Sequence, residues 1–353
     1  MKNKIKKLIN FLLGLFGLTI ISKNNSHFLN SDNLKNENLF NKYVEAMNFL
    51  RLDFFGGWEE SDLDLLKKYL YSTNKEYKYG YIYDWLGVVT PIKFHGWIKN
   101  PSDHYIVKNH LPVPNDEIHA DAIEYIALLK SFELTKNKKN YTAVELGSSY
   151  SPWASAAGVV AKRKKYKNIN LVAVEASKKA IPKIEEQFKV NNLLECKNLK
   201  IFLHNSAVSE KNGYVYFPDV DTNSDNGAQI SKSKKNTDYR GLNLNHVRVN
   251  SKSLSEITKK FSRVDFLHMD LQGAEEFLIE NNNFINCINK KVKVLFFATQ
   301  SRLIEGKAVK VLFNNNWTLY RERPTTYKQN KHAIDPNGWT LRDGAQIWIN
   351  NEI

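Results

Sequence analysis

Glu145 and Glu175 are the residues of this sequence best placed to do chemistry, because each closes a short apolar run. Glu145 lies in Ala143-Val144-Glu145-Leu146, ahead of the turn Gly147-Ser148-Ser149-Tyr150-Ser151-Pro152-Trp153, and Glu175 ends Leu171-Val172-Ala173-Val174. An apolar strand that ends in an acid and a glycine-containing turn is how a nucleoside-binding α/β domain begins. An acid at the end of the next parallel strand can accept hydrogen bonds from a ribose diol. A third acid stands in Val264-Asp265-Phe266-Leu267-His268-Met269-Asp270-Leu271-Gln272-Gly273-Ala274-Glu275. Phe266, His268 and Asp270 share a face at the strand period of two, and Asp270 falls at the carboxyl edge, where open α/β sheets bind ligands. Asp270 can hold a cationic ligand group, orient a hydroxyl, or cap the helix expected near Gly273. It is the first candidate for a proton acceptor and His268 the second, since a histidine inside a central strand more often serves as a hydrogen-bonded core residue.

The elements that must carry these residues alternate as in a parallel sheet with crossover helices. Strands are expected at Thr142 to Gly147, Asn170 to Glu175, Leu199 to His204, Val264 to Asp270 and Val292 to Ala298, with Trp317 to Arg321 and Ala345 to Asn350 as a terminal pair. Helices are expected at Pro152 to Ala161, Ser177 to Val190 and Gly273 to Asn281, and Tyr214 to Phe217 reads as a hairpin arm. The polar loop Asp219 to Leu242 carries Lys232-Ser233-Lys234-Lys235, either a solvated run or a device that steers an anionic substrate.

Upstream, Phe40, Tyr43, Val44, Met47, Phe49 and Leu50 recur at helical spacing. A second helix follows the cap-like Ser61-Asp62, and a third, Asp121 to Glu133, places Ile123, Ile126, Ala127 and Leu129 on one face. Tyr79 to Leu111 differs in character, with Trp85, Phe94, Trp97, Tyr105, His95, His104 and His110 in a loop-like setting of Gly and Pro. Such aromatics pack in a core or stack on a substrate as a lid, from which His95 and His104 are further candidate bases.

The chain has 353 residues and a formal net charge of +14, which favours nucleic acid, anionic lipid or phosphorylated partners without choosing among them. Cys196 and Cys287 form no metal or disulfide pattern, which fits a reducing cytosol, and no histidine pair shows helical metal-ligand spacing, so no metal is expected. Lys2, Lys4, Lys6 and Lys7 precede the apolar run Leu8 to Ile21. Roughly fourteen residues of helix reach only about 20 Å against a hydrocarbon core of ~30 Å, and a small-residue cleavage site is missing. Two arrangements fit: a helix in the membrane interface, or a helix buried on the body of the protein.

In these blocks, together with Leu203 to Ser209, Thr299 to Glu305 and Asp343 to Trp348, the sequence resembles the FkbM-family methyltransferases from about Leu111 onward. The resemblance implies an α/β fold, a doubly wound, mostly parallel, seven-stranded Rossmann-like sheet with a helical N-terminal extension. The residues themselves give 1–23 as a basic amphipathic helix, a candidate membrane-surface anchor, and 39–135 as a mainly helical region with a candidate lid, and the resemblance implies 136–353 as the domain that binds S-adenosylmethionine. By the same resemblance Glu145, Gly147 and Ser149 lie at the turn beside the methionine part, Glu175 at the ribose, and Ser206 and Ala207 near adenine, with Asp270 also at the donor site. Relatives often have glycine where Ser149 and Ser151 stand and histidine where Gln300 stands. The expected reaction is O-methyl transfer to a sugar of a surface glycan or of its lipid- or nucleotide-linked precursor, in the cytoplasm or at the inner face of the membrane. An RNA methyltransferase and a non-catalytic donor-binding scaffold are the alternatives. Nucleic acid is disfavoured as a partner, because no Asn/Asp-Pro-Pro-aromatic motif and no separate RNA-binding module stand in the sequence.

Overall fold

Apolar residues run almost without interruption through the central strands, the pattern of strands covered on both faces. The computed structural model describes residues 56–353 except 72–76, 99, 101–104, 109–120, 136–138, 221–226 and 235–236. The expectations for residues 1–23, for Phe40 to Leu50 and for His104 and His110 lie outside the described residues.

Ahead of the main sheet come α1 (Glu60–Tyr69), the short strands β1 (Tyr81–Asp84), β2 (Val89–Pro91) and β3 (Ile106–Lys108), and α2 (Ala122–Leu134). The three strands form a sheet of order β2-β1-β3, which corrects the loop-like reading of this segment. They are too short for a period to show in sequence, and β1 turns into β2 through Gly87 at φ +84°. The cap of α1 also differs: Glu59 is the N-cap, and Asp62 completes a capping box with it. Asp62 is buried because its carboxylate also takes Arg321 Nε at 2.6 Å and Tyr320 Oη at 2.9 Å. In α2 the residues Ile123, Ile126, Ala127, Leu128 and Leu129 are all fully buried, so the helix is apolar on more than the single expected face. It lies against several strands of the main sheet and joins the upstream region to one core cluster with it.

The chain then runs through β4 (Asn140–Leu146), α3 (Pro152–Arg163), β5 (Asn168–Glu175), α4 (Ile181–Val190) and β6 (Leu199–Asn205). Next come β7 (Ala207–Val208), β8 (Gly213–Pro218), β9 (His246–Lys252) and the short α5 (Leu254–Ile257). The second half holds β10 (Val264–Met269), α6 (Glu275–Ile279), α7 (Asn282–Lys291), β11 (Val292–Thr299) and α8 (Arg302–Asn314). It finishes with β12 (Trp317–Arg323), β13 (Thr326–Tyr327), β14 (Thr340–Arg342) and β15 (Gly344–Asn350). The main sheet has seven strands in the order β12-β15-β11-β10-β4-β5-β6. It is parallel from β11 to β6, and β15 is antiparallel to both its neighbours. Succession runs outward from β4 to β6 and then returns to β10, so the topological switch point lies between β4 and β10.

Two elements depart from the sequence reading. Gly213–Pro218 is not the arm of a local hairpin: β8 pairs with β9, from Gly213↔Ser251 to Pro218↔His246, and the intervening polar loop hides that pairing from any local turn signal. The expected helix Gly273 to Asn281 is shorter, and the chain restarts as α7, whose N-cap Asn281 accepts from Phe284 N at 3.0 Å.

Candidate active site

The turn after β4 is held by its own unusual geometry. Gly147, Ser149 and Ser151 all adopt left-handed backbone, at φ +78°, +50° and +64°. Gly147 and Ser148 donate backbone N–H to Val174 O at 3.0 and 3.1 Å, tying the loop to β5. A Cβ at Gly147 would meet the carbonyl oxygen of Asp270, so glycine is required there by φ and by contact. The two serines keep the glycine-like conformation with side chains, at a cost of about 1 kcal/mol each. Left-handed Ser151 is the N-cap of α3 yet makes no side-chain cap bond. Glu145 caps the helix instead, accepting from Trp153 N at 3.0 Å, Ala154 N at 2.9 Å and Ser151 Oγ at 2.6 Å. Its carboxyl is raised by burial, against the pull of His268 and these donors. Glu145 therefore lines the cavity described below while its hydrogen bonds serve its own loop.

Glu175 closes β5 and bridges two loops, with Oε2 accepting from Ser149 N at 2.8 Å and Oε1 from Ser177 N at 2.7 Å. Each oxygen retains a lone pair for a further donor. Burial raises this carboxyl as well, opposed by those backbone N–H groups.

β10 delivers His268 and Asp270. Asp270 Oδ1 accepts from Gln272 Nε2 at 2.8 Å and Gln300 Nε2 at 3.3 Å. Burial and the charge of Asp343 push its carboxyl up to about 6. It does not cap the following helix, since Glu275 folds back to accept from Leu271 N and from Gly273 N at 2.6 Å. That buried carboxyl is itself pushed up to about 8 by burial and by Asp270. His268 is stacked between Trp153 and Phe296, at ring separations of 5.4 and 4.6 Å. Burial lowers its pKa to about 4, against the attraction of Glu145 and Asp270. The imidazole is thus neutral, and with Nε2 3.2 Å from Glu124 Oε1 the proton belongs on Nε2. Nδ1 is then a bare acceptor, buried without a hydrogen-bond partner.

Glu145, Gly147, Ser149, Glu175, Ser206, Ala207, His268 and Asp270 all border one cavity of about 210 Å³. Phe94, His95 and Trp97 from the aromatic segment line it too, whereas Trp85 sits in the core and Tyr105 stacks on Tyr77. Sequence reasoning missed Glu124, which also borders the cavity. Its one local signal is Asp121-x-x-Glu124, a capping box at the start of α2. Gln300 is buried and donates to Asp270.

The cavity suits S-adenosylmethionine by chemistry. Glu175 is open to a diol, Ser206 Oγ is buried without a partner beside apolar Ala207, Val208 and Phe217, and the glycine turn lets backbone approach a ligand that carries no diphosphate. Residues 136–302 match the family model described as Methyltransferase FkbM domain. A protein of Jannaschia sp. (strain CCS1) named "Putative methyltransferase" is 28% identical over 227 residues, which are 62% of this chain and 75% of that protein. Among solved structures, a precorrin-6y C5,15-methyltransferase from Geobacter metallireducens GS-15 is similar at TM-score 0.35 and 11% identity, covering 68% of this chain and 94% of its own. A ribosomal protein L11 methylase from Lactobacillus delbrueckii subsp. bulgaricus gives TM-score 0.31 and 11% identity, covering 74% and 92%. Likenesses this low leave the fold to rest on the strand order itself. By the match of residues 136–302 to that domain the protein is a methyltransferase, and its methyl donor is S-adenosylmethionine.

Proposed function

We propose that this methyltransferase acts on an oxygen nucleophile, a hydroxyl of a sugar in a surface glycan or in its lipid- or nucleotide-linked precursor. The observation that carries the reading is Asp270: a carboxylate at the mouth of the switch point, one oxygen pinned by two amides, with a pKa raised to about 6. A general base works best when its pKa lies near the working pH, and a hydroxyl must lose its proton as it attacks. When bound, S-adenosylmethionine supplies a sulfonium methyl for in-line displacement. The protein's part is to align the reactants and exclude water, since charge is lost as the new bond forms.

In this reading Glu175 holds the ribose hydroxyls, Ser206 and Ala207 border the adenine, and the turn Gly147 to Ser151 flanks the methionine end. Asp270 takes the acceptor proton. His268, with a pKa near 4, is the weaker base, and its bare Nδ1 is suited to accept a hydrogen bond from the donor's ammonium. Phe94 and Trp97 offer faces on which a sugar ring stacks. The net charge of +14 favours an RNA acceptor instead. Labelled donor, incubated in parallel with an extracted glycan fraction and with RNA, separates the two. The sugar reading expects label in the glycan fraction, label in RNA overturns it, and donor binding with no labelled acceptor in any fraction turns the assignment to a scaffold.

A further inference from the structure

The edge of the main sheet opposite the cavity gathers positive charge that the proposed reaction does not use. The turns that enter β5 and β6, and the last turn of α7 ahead of β11, bring Lys165, Lys167, Lys197, Lys200 and Lys290 to this edge, and all five are exposed. The strands are neighbours in the order β11-β10-β4-β5-β6, so these lysines spread along one rim. At about 4.8 Å per strand the rim is roughly 20 Å wide. Acids do little to neutralise it. Glu195 and Glu352 are exposed there, whereas Asp265 is paired with Arg263 at 2.8 Å, Glu256 with Lys259 at 2.6 Å and Glu133 with Lys68 at 2.6 Å. Among the described residues, none of the five lysines has a carboxylate partner.

We propose that this rim docks on an anionic lipid surface. A strand of about seven residues spans roughly 23 Å, so the lysines stand a full sheet depth from Asp270 and Glu175. A nucleic acid track that ended there would not deliver its base to the cavity. A lipid surface only has to be touched, and a broad rim of flexible lysines with few acids is the complement of one. The basic start of the sequence, Lys2 to Lys7 before an apolar run, has the same chemistry. Docked this way, the sheet directs its cavity edge away from the bilayer, toward acceptors that stand off the surface. The proposal is independent of which acceptor is methylated.

The test is sedimentation of the full chain with vesicles of phosphatidylcholine alone or containing phosphatidylserine, at low and high salt, alongside calorimetry of S-adenosylhomocysteine binding. The wild type is expected to bind anionic vesicles and not neutral ones, and to be released by salt. A variant carrying Lys165→Glu, Lys167→Glu, Lys197→Glu and Lys200→Glu is expected to bind about 600-fold or more weakly, at roughly fivefold per surface lysine. Its melting temperature and affinity for S-adenosylhomocysteine should be unchanged, which shows that the fold and cavity are intact. Wild-type indifference to anionic vesicles overturns the proposal, as does full binding by the variant. Loss in the variant of binding to single-stranded RNA, with no vesicle binding by the wild type, assigns the rim to nucleic acid and also overturns it.

Discussion

The two edges of the main sheet are made by the same strands and are opposite in character. At the carboxyl edge the backbone enters left-handed conformations at Gly147, Ser149, Ser151, Gln272 and Gly273, and acids are held in a buried setting that raises Glu145, Glu175, Asp270 and Glu275. At the amino edge the strands begin from exposed lysine-bearing turns, and the nearby acids Asp265 and Glu256 are matched to cations. Left-handed backbone occurs at both edges, with Lys165 and Asn192 ahead of β5 and β6, so what distinguishes the cavity edge is desolvation, while the other edge stays solvated. Stability is spent at the cavity edge to keep buried carboxyls in reactive states.

The contrast breaks most severely at Gly147. Gly147→Ala adds a Cβ against the Asp270 carbonyl in a left-handed position, and is expected to cost about 3 kcal/mol or more and to abolish donor binding. Thermal melting with calorimetry measures both. Next is Asp270→Asn, for which kcat should fall about 100-fold or more while donor affinity changes little. Wild-type activity should rise as pH increases through about 6, as Asp270 ionises, and that limb should vanish in the variant. Stability should move the other way. The folded pKa lies above the unfolded value of about 3.8, so stability is full below that value and declines as pH rises through about 6. At neutral pH the variant should therefore melt higher, by about 1 kcal/mol of added stability. A lower melting point would contradict the view that this edge stores unfavourable charge.

Glu175→Ala should weaken S-adenosylhomocysteine binding by about 10- to 100-fold, because the diol loses its acceptor and the Ser149 and Ser177 amides are stranded. Unchanged affinity would remove Glu175 from the donor site. The smallest effect is expected for Ser149→Gly, which relieves the left-handed backbone at a side chain whose hydroxyl is not needed for the turn. A gain of up to about 1 kcal/mol in stability is the outcome to look for by denaturant titration.

The acids Glu145, Glu175 and Asp270 were legible in the sequence because apolar runs, their ends and their turn residues are local features. Strand period and turn chemistry act over a few neighbouring residues, so the seven main-sheet strands could be placed to within a few positions. The family blocks added the donor. The β8–β9 pairing and the capping role of Glu145 were not legible, because each depends on residues that meet only after folding. Glu124 shows this most clearly: a capping-box residue by sequence, it reaches His268 at 3.2 Å only because α2 packs across β10.

Sequence by itself determined the alternation of strands and helices, the acids at strand ends and the excess of lysine, since all of these follow from composition and short-range periodicity. Tertiary structure alone decided which protons those acids keep, which nitrogen of His268 is bare and on which rim the lysines collect. Desolvation and charge proximity are properties of packed space, and strand order, not chain order, sets who stands beside whom.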